Sequence, residues 1–565
     1  MSRTLSTTTS TGTDPVSGGR AHDQSERASA TVIGGGIAGL ATAALLAREG
    51  YAVTLLEAND VLGGRAGIWE ADGYRFDTGP SWYLMPEVFD HFFRLLGTSS
   101  AEQLDLLRLD PGYRVFAEGS ERPIDIVADF EGNVALFESI EDGAGEALRR
   151  YVASASDAYE LALGRFLYNT FDDPRSLIGA DVLRRGPAIA RLGTRSLSGL
   201  IEKHVNDPRL QQVLGYPAVF LGSSPFDVPS LYHLMSHLDL ADGVYYPQGG
   251  FGTVIERIAA LAVAEGVEVR TGARVTEITT AAVPRRRGRA RGASHRATGV
   301  RYTDASGAVH SVESDVVVSA ADLHFTETRL VPEGLRSYPE EWWDERNPGP
   351  GAVLVMLGVR GSLPELSHHN LFFTENWADN FSAIYGTPSF IPEPASIYVC
   401  RPSATDGSAA PADHENLFVL VPVPADPGIG AGGLGRSGAV QVERAADAAI
   451  QQISSWAGIP DLAQRIVLRR TVGPADFATD LNSWRGGALG PAHTLRQSAF
   501  FRGKNASSRI DGLLYAGGST IPGIGLPMCL ISAELVVKKL RGERSGAPLE
   551  EPLTAPMRAP LKAPL

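Results

Sequence analysis

Apolar positions along this chain repeat with two periods. From Thr31 the sequence reads TVIGGG, then IAGLATAALLARE ended by Gly50, then YAVTLLE. A short apolar run, a helical stretch and a second apolar run predict a βαβ unit over Thr31–Glu57. The pattern recurs in part at Tyr246–Ile278. There PQGGFGTVIERIAALAVAEG has apolar residues at helical spacing, and GVEVR and a segment ending RVTEI follow as strands. SDVVVSAA (Ser314–Ala321) is an unbroken apolar run suited to a buried parallel sheet. Near the other end, LLYAGG leads through a glycine-rich loop into a helical pattern that lasts to Leu540.

These pieces predict an α/β fold in which one nucleotide-binding domain is assembled from separated segments, 30–90, 241–330 and 491–540. Residues 91–240 and 331–490 are then insertions forming an α+β domain on the substrate side. Residues 1–29, rich in Ser, Thr and Gly, and the Ala-Pro-rich 541–565 are expected to be loose tails. Pro284–Arg296, with six arginines and no acid, and the Gly/Ala/Pro/Asp-rich Ser403–His414 and Ala425–Gly438 are expected as surface insertions.

Composition narrows the class. Apolar residues make up 43% and charged residues 21%, as in a globular protein with a large core. With 51 basic and 65 acidic side chains the net charge is −14, which disfavours nucleic acid as a partner. Cys400 and Cys529 are the two cysteines, too few for a disulfide framework, and fit a reducing compartment. The N-terminal stretch lacks the apolar core of a secretory signal, and no run approaches the length of a membrane span.

GGGIAG (Gly34–Gly39) fits G-x-G-x-x-G. Gly34 makes the tight turn, Gly36 admits a pyrophosphate and Gly39 allows close helix–strand packing, while the helix start directs its free N–H groups at phosphate. Glu57, at the end of the next strand, is placed to accept hydrogen bonds from ribose. Gly63, Gly64 and Arg65 follow in LLEANDVLGGRAG, adding backbone that approaches closely and a fixed cation. An acid, a short spacer and GGR resemble the FAD signature of the superfamily that holds amine oxidases, phytoene desaturases and Rab GDP-dissociation inhibitors.

The resemblance tightens downstream. YRFDTGPSWYLMPEVFDHFFRLLG (Tyr74–Gly97) is similar to the block after the flavin signature in bacterial and fungal phytoene desaturases. So are YYPQGGFGTVIERIA, SDVVVSAADLHFTE, HHNLFF, NLFVLVPVP and LRQSAFFRGKN, the last with Gly503 where proline is expected. The resemblance spans about 30–540. It implies a Rossmann-like FAD-binding domain, with Gly79, Pro80 and Ser81 near the isoalloxazine and Val275 among the cofactor contacts. It also implies that Gly517, Gly518, Ser519, Gly525 and Met528 close over the redox half of one FAD. The implied activity is desaturation of an acyclic carotene precursor such as phytoene, by hydride transfer to flavin followed by proton loss, with oxygen or a quinone as electron acceptor. No proton acceptor is singled out: Asp227, Asp239 and Asp322 are expected as caps or structural partners.

A nearly pure hydrocarbon substrate resides in lipid, so the chain is expected in the cytoplasm, docked on the membrane face. Val182–Leu200, with Arg184, Arg185, Arg191 and Arg195 among Leu and Ile, is the expected docking segment. No metal is expected: adjacent His368 and His369 on an extended segment point to opposite faces, and no third ligand is evident. Other readings are a ketolase, a dehydrosqualene or hydroxycarotenoid desaturase, or an isomerase of the same family. Further off stand an amine or protoporphyrinogen oxidase, a prenyl-binding chaperone and an NAD dehydrogenase, the last with no role for GGR.

Overall fold

The computed structural model describes residues 27–173, 185–186, 192–283 and 293–554. A five-stranded sheet has the order Leu513–Tyr515, Val316–Ser319, Ser29–Ile33, Ala52–Leu56, Glu268–Arg270, with every pair parallel. Its strands come from three distant parts of the chain. Helix Ile37–Arg48 is buried along nearly its whole length, packing against helices Gly250–Ala264 and Leu526–Arg541. Such all-round burial explains why IAGLATAALLAR is apolar on every face rather than striped. The molecule is α/β, with a Rossmann-like parallel sheet and an inserted α+β region.

A second sheet of seven strands has Ile466–Val472 at one edge, then Gly351–Arg360 and His414–Val423, and continues through Ile397–Cys400, His369–Phe373, Tyr113–Ala117 and Ile124–Ile126. Strand Gly351–Arg360 is buried at nine of its ten positions. Val353, Val355 and Leu357 pack with helix Val440–Trp456 on one face, and Leu354 and Met356 with Tyr74, Phe76 and Phe418 on the other. Cover on both faces makes its apolar run continuous.

Three expectations about loose segments are corrected. Residues 543–554 lie against the last helix: Leu553 is buried, and the Lys538 ammonium, itself buried, donates to the carbonyls of Tyr168, Ser545 and Ala547. A buried cation needs acceptors, and this proline-rich stretch supplies two of them. Ser403–His414 folds inward, with buried Asp406 accepting from Arg75, Tyr246 and the Gly249 N–H. Within 425–438, Gly432 runs so close to Thr471 that no side chain fits. Most of Pro284–Arg296 lies outside the described residues. Among those described, no helix is long and apolar enough to cross a membrane.

Candidate functional site

The two glycine-rich segments meet. Gly34, at φ +99, follows strand Ser29–Ile33 and donates its N–H to the Leu56 carbonyl at 2.8 Å. A Cβ on Gly39 would lie 1.8 Å from the Gly34 carbonyl oxygen, so helix and turn touch backbone to backbone. Gly36 differs: a Cβ there would meet nothing closer than the Gly63 carbonyl oxygen at 3.8 Å, and its backbone is ordinary extended chain. Protein packing therefore does not require glycine at position 36. A ligand approaching the N-terminus of helix Ile37–Arg48 does.

Gly63 and Gly64 stack on this turn, Gly63 donating to the Gly35 carbonyl at 2.9 Å. The buried Glu57 carboxylate accepts from the N–H groups of Gly35 (2.6 Å) and Asn59 (2.8 Å), which uses part of its acceptor capacity. Arg65 reaches across to the Ala488 carbonyl and the Ser483 hydroxyl, with Asp322 at 3.9 Å. It anchors the segment 483–488 beside the glycines, a partner the sequence did not suggest. Gly79 presses against the Arg65 carbonyl, and the Ser81 hydroxyl pairs with the Tyr398 hydroxyl at 2.6 Å; Pro80 lies between them. Val275 is buried with Ile33 and Leu56.

The C-terminal segment closes the other side. Gly517, at φ +111, places its Cβ position 3.6 Å from the Ala38 methyl, and its N–H donates to Ser532. Gly518 and Ser519 continue the loop. The ring of His493 occupies the space a side chain at Gly523 would need, and Gly525 caps helix Leu526–Arg541, with half-buried Met528 in its first turn. Arg502 was missed by the sequence reading. It is 4% exposed and donates to the carbonyls of Gln497, Gly518 and Thr520. No carboxylate lies within ion-pair distance of it among the described residues, and burial pushes its pKa down to about 10. A buried cation lacking a counter-ion at Gly518 favours an electron-rich ligand there. The open face of Gly36 and the lone Arg502 both fit an electron-rich, phosphate-bearing ligand.

An aromatic wall extends from Ser81. The Trp82 ring stacks on His369 at 4.5 Å and contacts Tyr113, Tyr216, Phe220 and Tyr398 at 5.3–6.2 Å. Trp82, Phe220 and Tyr398 stay half-buried although they sit in the interior. Behind them Asp239 accepts from the hydroxyls of Tyr113 (2.9 Å) and Tyr216 (2.7 Å), and desolvation raises its pKa to about 7. Asp322 caps a helical turn through His324 and Phe325.

His368 and His369 do not diverge as expected. His368 precedes the strand, outside its alternation, and the two rings lie 4.5 Å apart. Of the expected docking segment, Arg184 and Arg191 lie outside the described residues, and Arg185 is paired with Asp157. Leu495, Phe500 and Phe501, close in sequence to Arg502, are exposed at 57%, 53% and 51%.

Residues 37–540 match the family described as flavin containing amine oxidoreductase. The chain is 40% identical to a carotenoid 3,4-desaturase of Haloarcula japonica, over 90% of this chain and 97% of that protein. It is 31% identical to a phytoene desaturase of Fusarium fujikuroi, over 91% and 89%, and 32% identical to a zeta-carotene-forming phytoene desaturase of Myxococcus xanthus, over 90% and 93%. Among solved structures, an oxidoreductase from Methanosarcina mazei is similar in fold at a TM-score of 0.58 and 15% identity, covering 90% of this chain and all of that one. A putrescine oxidase bound to putrescine gives 0.57 at 14% identity, covering 91% and 99%.

Proposed function

The chain belongs to the flavin containing amine oxidoreductase family, among its carotenoid desaturases, and we propose that it desaturates an acyclic carotene precursor with FAD held where the two glycine-rich segments meet. Gly36 and the start of helix Ile37–Arg48 would hold the pyrophosphate, on the turn that Gly34 and Gly39 shape, and Glu57 the ribose. Gly63, Gly64, Gly79, Pro80, Gly517, Gly518, Ser519, Gly525 and Met528 would enclose the rest. Bound there, FAD supplies the oxidising power that removal of hydrogen from an allylic position without a neighbouring carbonyl demands.

The protein's own part is to orient an apolar chain and exclude water. The observation carrying this reading is the half-buried aromatic wall of Trp82, Phe220 and Tyr398 beginning next to Ser81. It offers a polyene a planar apolar surface. Oxygen or a quinone takes the electrons. The substrate arrives from lipid, with the protein peripheral on the cytoplasmic face of the membrane.

The 40% identical 3,4-desaturase favours a second reading, in which an already conjugated carotenoid is desaturated at its 3,4 position. Expression in one host accumulating phytoene and another accumulating a conjugated carotenoid, with pigments separated by chromatography, distinguishes them. New conjugation in the first supports phytoene; new conjugation in the second alone supports 3,4-desaturation. Unchanged pigments in both, with folded and flavin-loaded protein, would refute the desaturase reading.

A further inference from the structure

We propose that His368, His369 and Cys400 form a metal site, with zinc as the expected ion. The proposal stands apart from the desaturase reading, since it concerns what the chain binds rather than what it converts.

The site follows from the strand register. His369 opens strand His369–Phe373 and lies directly opposite Cys400, the last residue of the antiparallel strand Ile397–Cys400. Directly opposed residues place their side chains on the same face of a sheet. His368 lies just outside the strand, and its carbonyl accepts from the Arg401 N–H at 2.7 Å. Freed from the strand's alternation, its ring turns back to meet His369. One nitrogen of each imidazole and the Cys400 Sγ lie within 4.8 Å of one another. All three residues are buried, at 4%, 0% and 1% exposure.

Hydrogen bonding at the imidazoles is one-sided. His368 Nδ1 pairs with the Thr405 hydroxyl at 2.7 Å, and His369 Nδ1 with the Tyr398 hydroxyl at 2.7 Å. The Nε2 atoms of both rings are buried without a partner. Ligating imidazoles have this arrangement, one nitrogen fixed by an outer group and the other left free. Two orphaned buried nitrogens are costly for a folded protein unless something accepts their lone pairs.

The ligand types select the ion. Two imidazoles and a thiolate suit zinc, which binds nitrogen and sulfur at about 2.0–2.3 Å and has no redox chemistry of its own. Side-chain rotations of roughly an ångström close the triangle around such an ion. Binding would release the Cys400 thiol proton to solvent and leave every oxidation state unchanged. The metal would tie the two strands together beneath Trp82, which stacks on His369, and fix Tyr398, whose hydroxyl links His369 to Ser81.

The test is the metal content of tag-free, flavin-loaded protein grown with added zinc and desalted without chelator. About one zinc per chain is expected in the wild type, falling at least tenfold in Cys400→Ser and His369→Gln while flavin per chain persists. Should those variants fail to fold, chelator-treated wild-type protein reloaded with cobalt(II) supplies a second readout. Tetrahedral cobalt bands at wavelengths beyond flavin absorption would support the site. Wild-type protein with neither bound metal nor cobalt bands, or variants carrying as much metal as wild type, would overturn it.

Discussion

Substituting Gly36 and Gly39 separately distinguishes a glycine kept for a ligand from one kept for the fold. Position 39 has no room: the added Cβ would lie 1.8 Å from the Gly34 carbonyl oxygen, and the atoms in the way are backbone on both sides. To relieve the clash the helix must move by more than an ångström against strand Ser29–Ile33, in the centre of the largest core cluster. Overpacking of this kind costs about 1–3 kcal/mol, and more where nothing can yield. Gly39→Ala therefore lowers the apoprotein's melting temperature by about one to three degrees. At position 36 the nearest protein atom to a Cβ is 3.8 Å away and φ is −73. Gly36→Val thus leaves apoprotein stability within about 1 kcal/mol of wild type.

Flavin binding responds in the opposite sense. A valine at position 36 fills the approach to the helix N-terminus, and a pyrophosphate held off by it forfeits charge-assisted hydrogen bonds worth about 1.5–3 kcal/mol each. Two such bonds amount to about 3–6 kcal/mol, or roughly two to four decades in Kd. The assay is flavin absorbance per chain after gel filtration, with thermal unfolding of the flavin-stripped proteins alongside. Stoichiometric flavin in Gly36→Val, or a Gly39→Ala apoprotein as stable as wild type, would refute this division of roles.

Two further outcomes are expected. Asp239, raised from 3.8 to about 7 by burial, stays protonated in the folded chain while ionising in the unfolded one between those values. The contribution of Asp239 to stability should therefore fall as pH rises across that window and level off above it, by an amount on the order of 4 kcal/mol. Asp239→Asn should remove this share from the pH dependence of the melting temperature, while Asp77, raised to about 6 by the same cause, and the other shifted carboxylates keep theirs; a slope unchanged from wild type would count against it. Replacing the exposed Leu495, Phe500 and Phe501 by Ser removes about 1 kcal/mol of apolar transfer energy at each position. Flotation with anionic liposomes should then weaken by about two decades, whereas equal flotation would place the docking surface elsewhere.

How much was legible in the sequence depends on where a residue's partner lies. Gly34 and Gly39 could be read because each acts within a single βαβ unit, as a turn and as a helix–strand contact, whereas the Gly35 N–H that Glu57 accepts was not foreseen. The apolar runs likewise announced the parallel strands, since burial on both faces leaves no polar alternation. Residues completed from a distance were misread or missed. Arg65 extends to Ser483 and Ala488, Cys400 faces His369 across a strand pair, and Lys538 is satisfied by a tail that composition alone describes as loose. Arg502 stood in plain view within LRQSAFFRGKN, but its meaning comes from carbonyls at Gly518 and Thr520 and from the lack of an acid nearby. The approach of Gly517 to Ala38 belongs to the same class: each glycine-rich segment alone reads as a complete nucleotide motif. A Cβ at Gly517 would lie 3.6 Å from the Ala38 methyl, so the two segments adjoin although nearly the whole length of the chain separates them. The proposed single FAD site therefore rests on closure between segments whose local sequences carry no sign of each other.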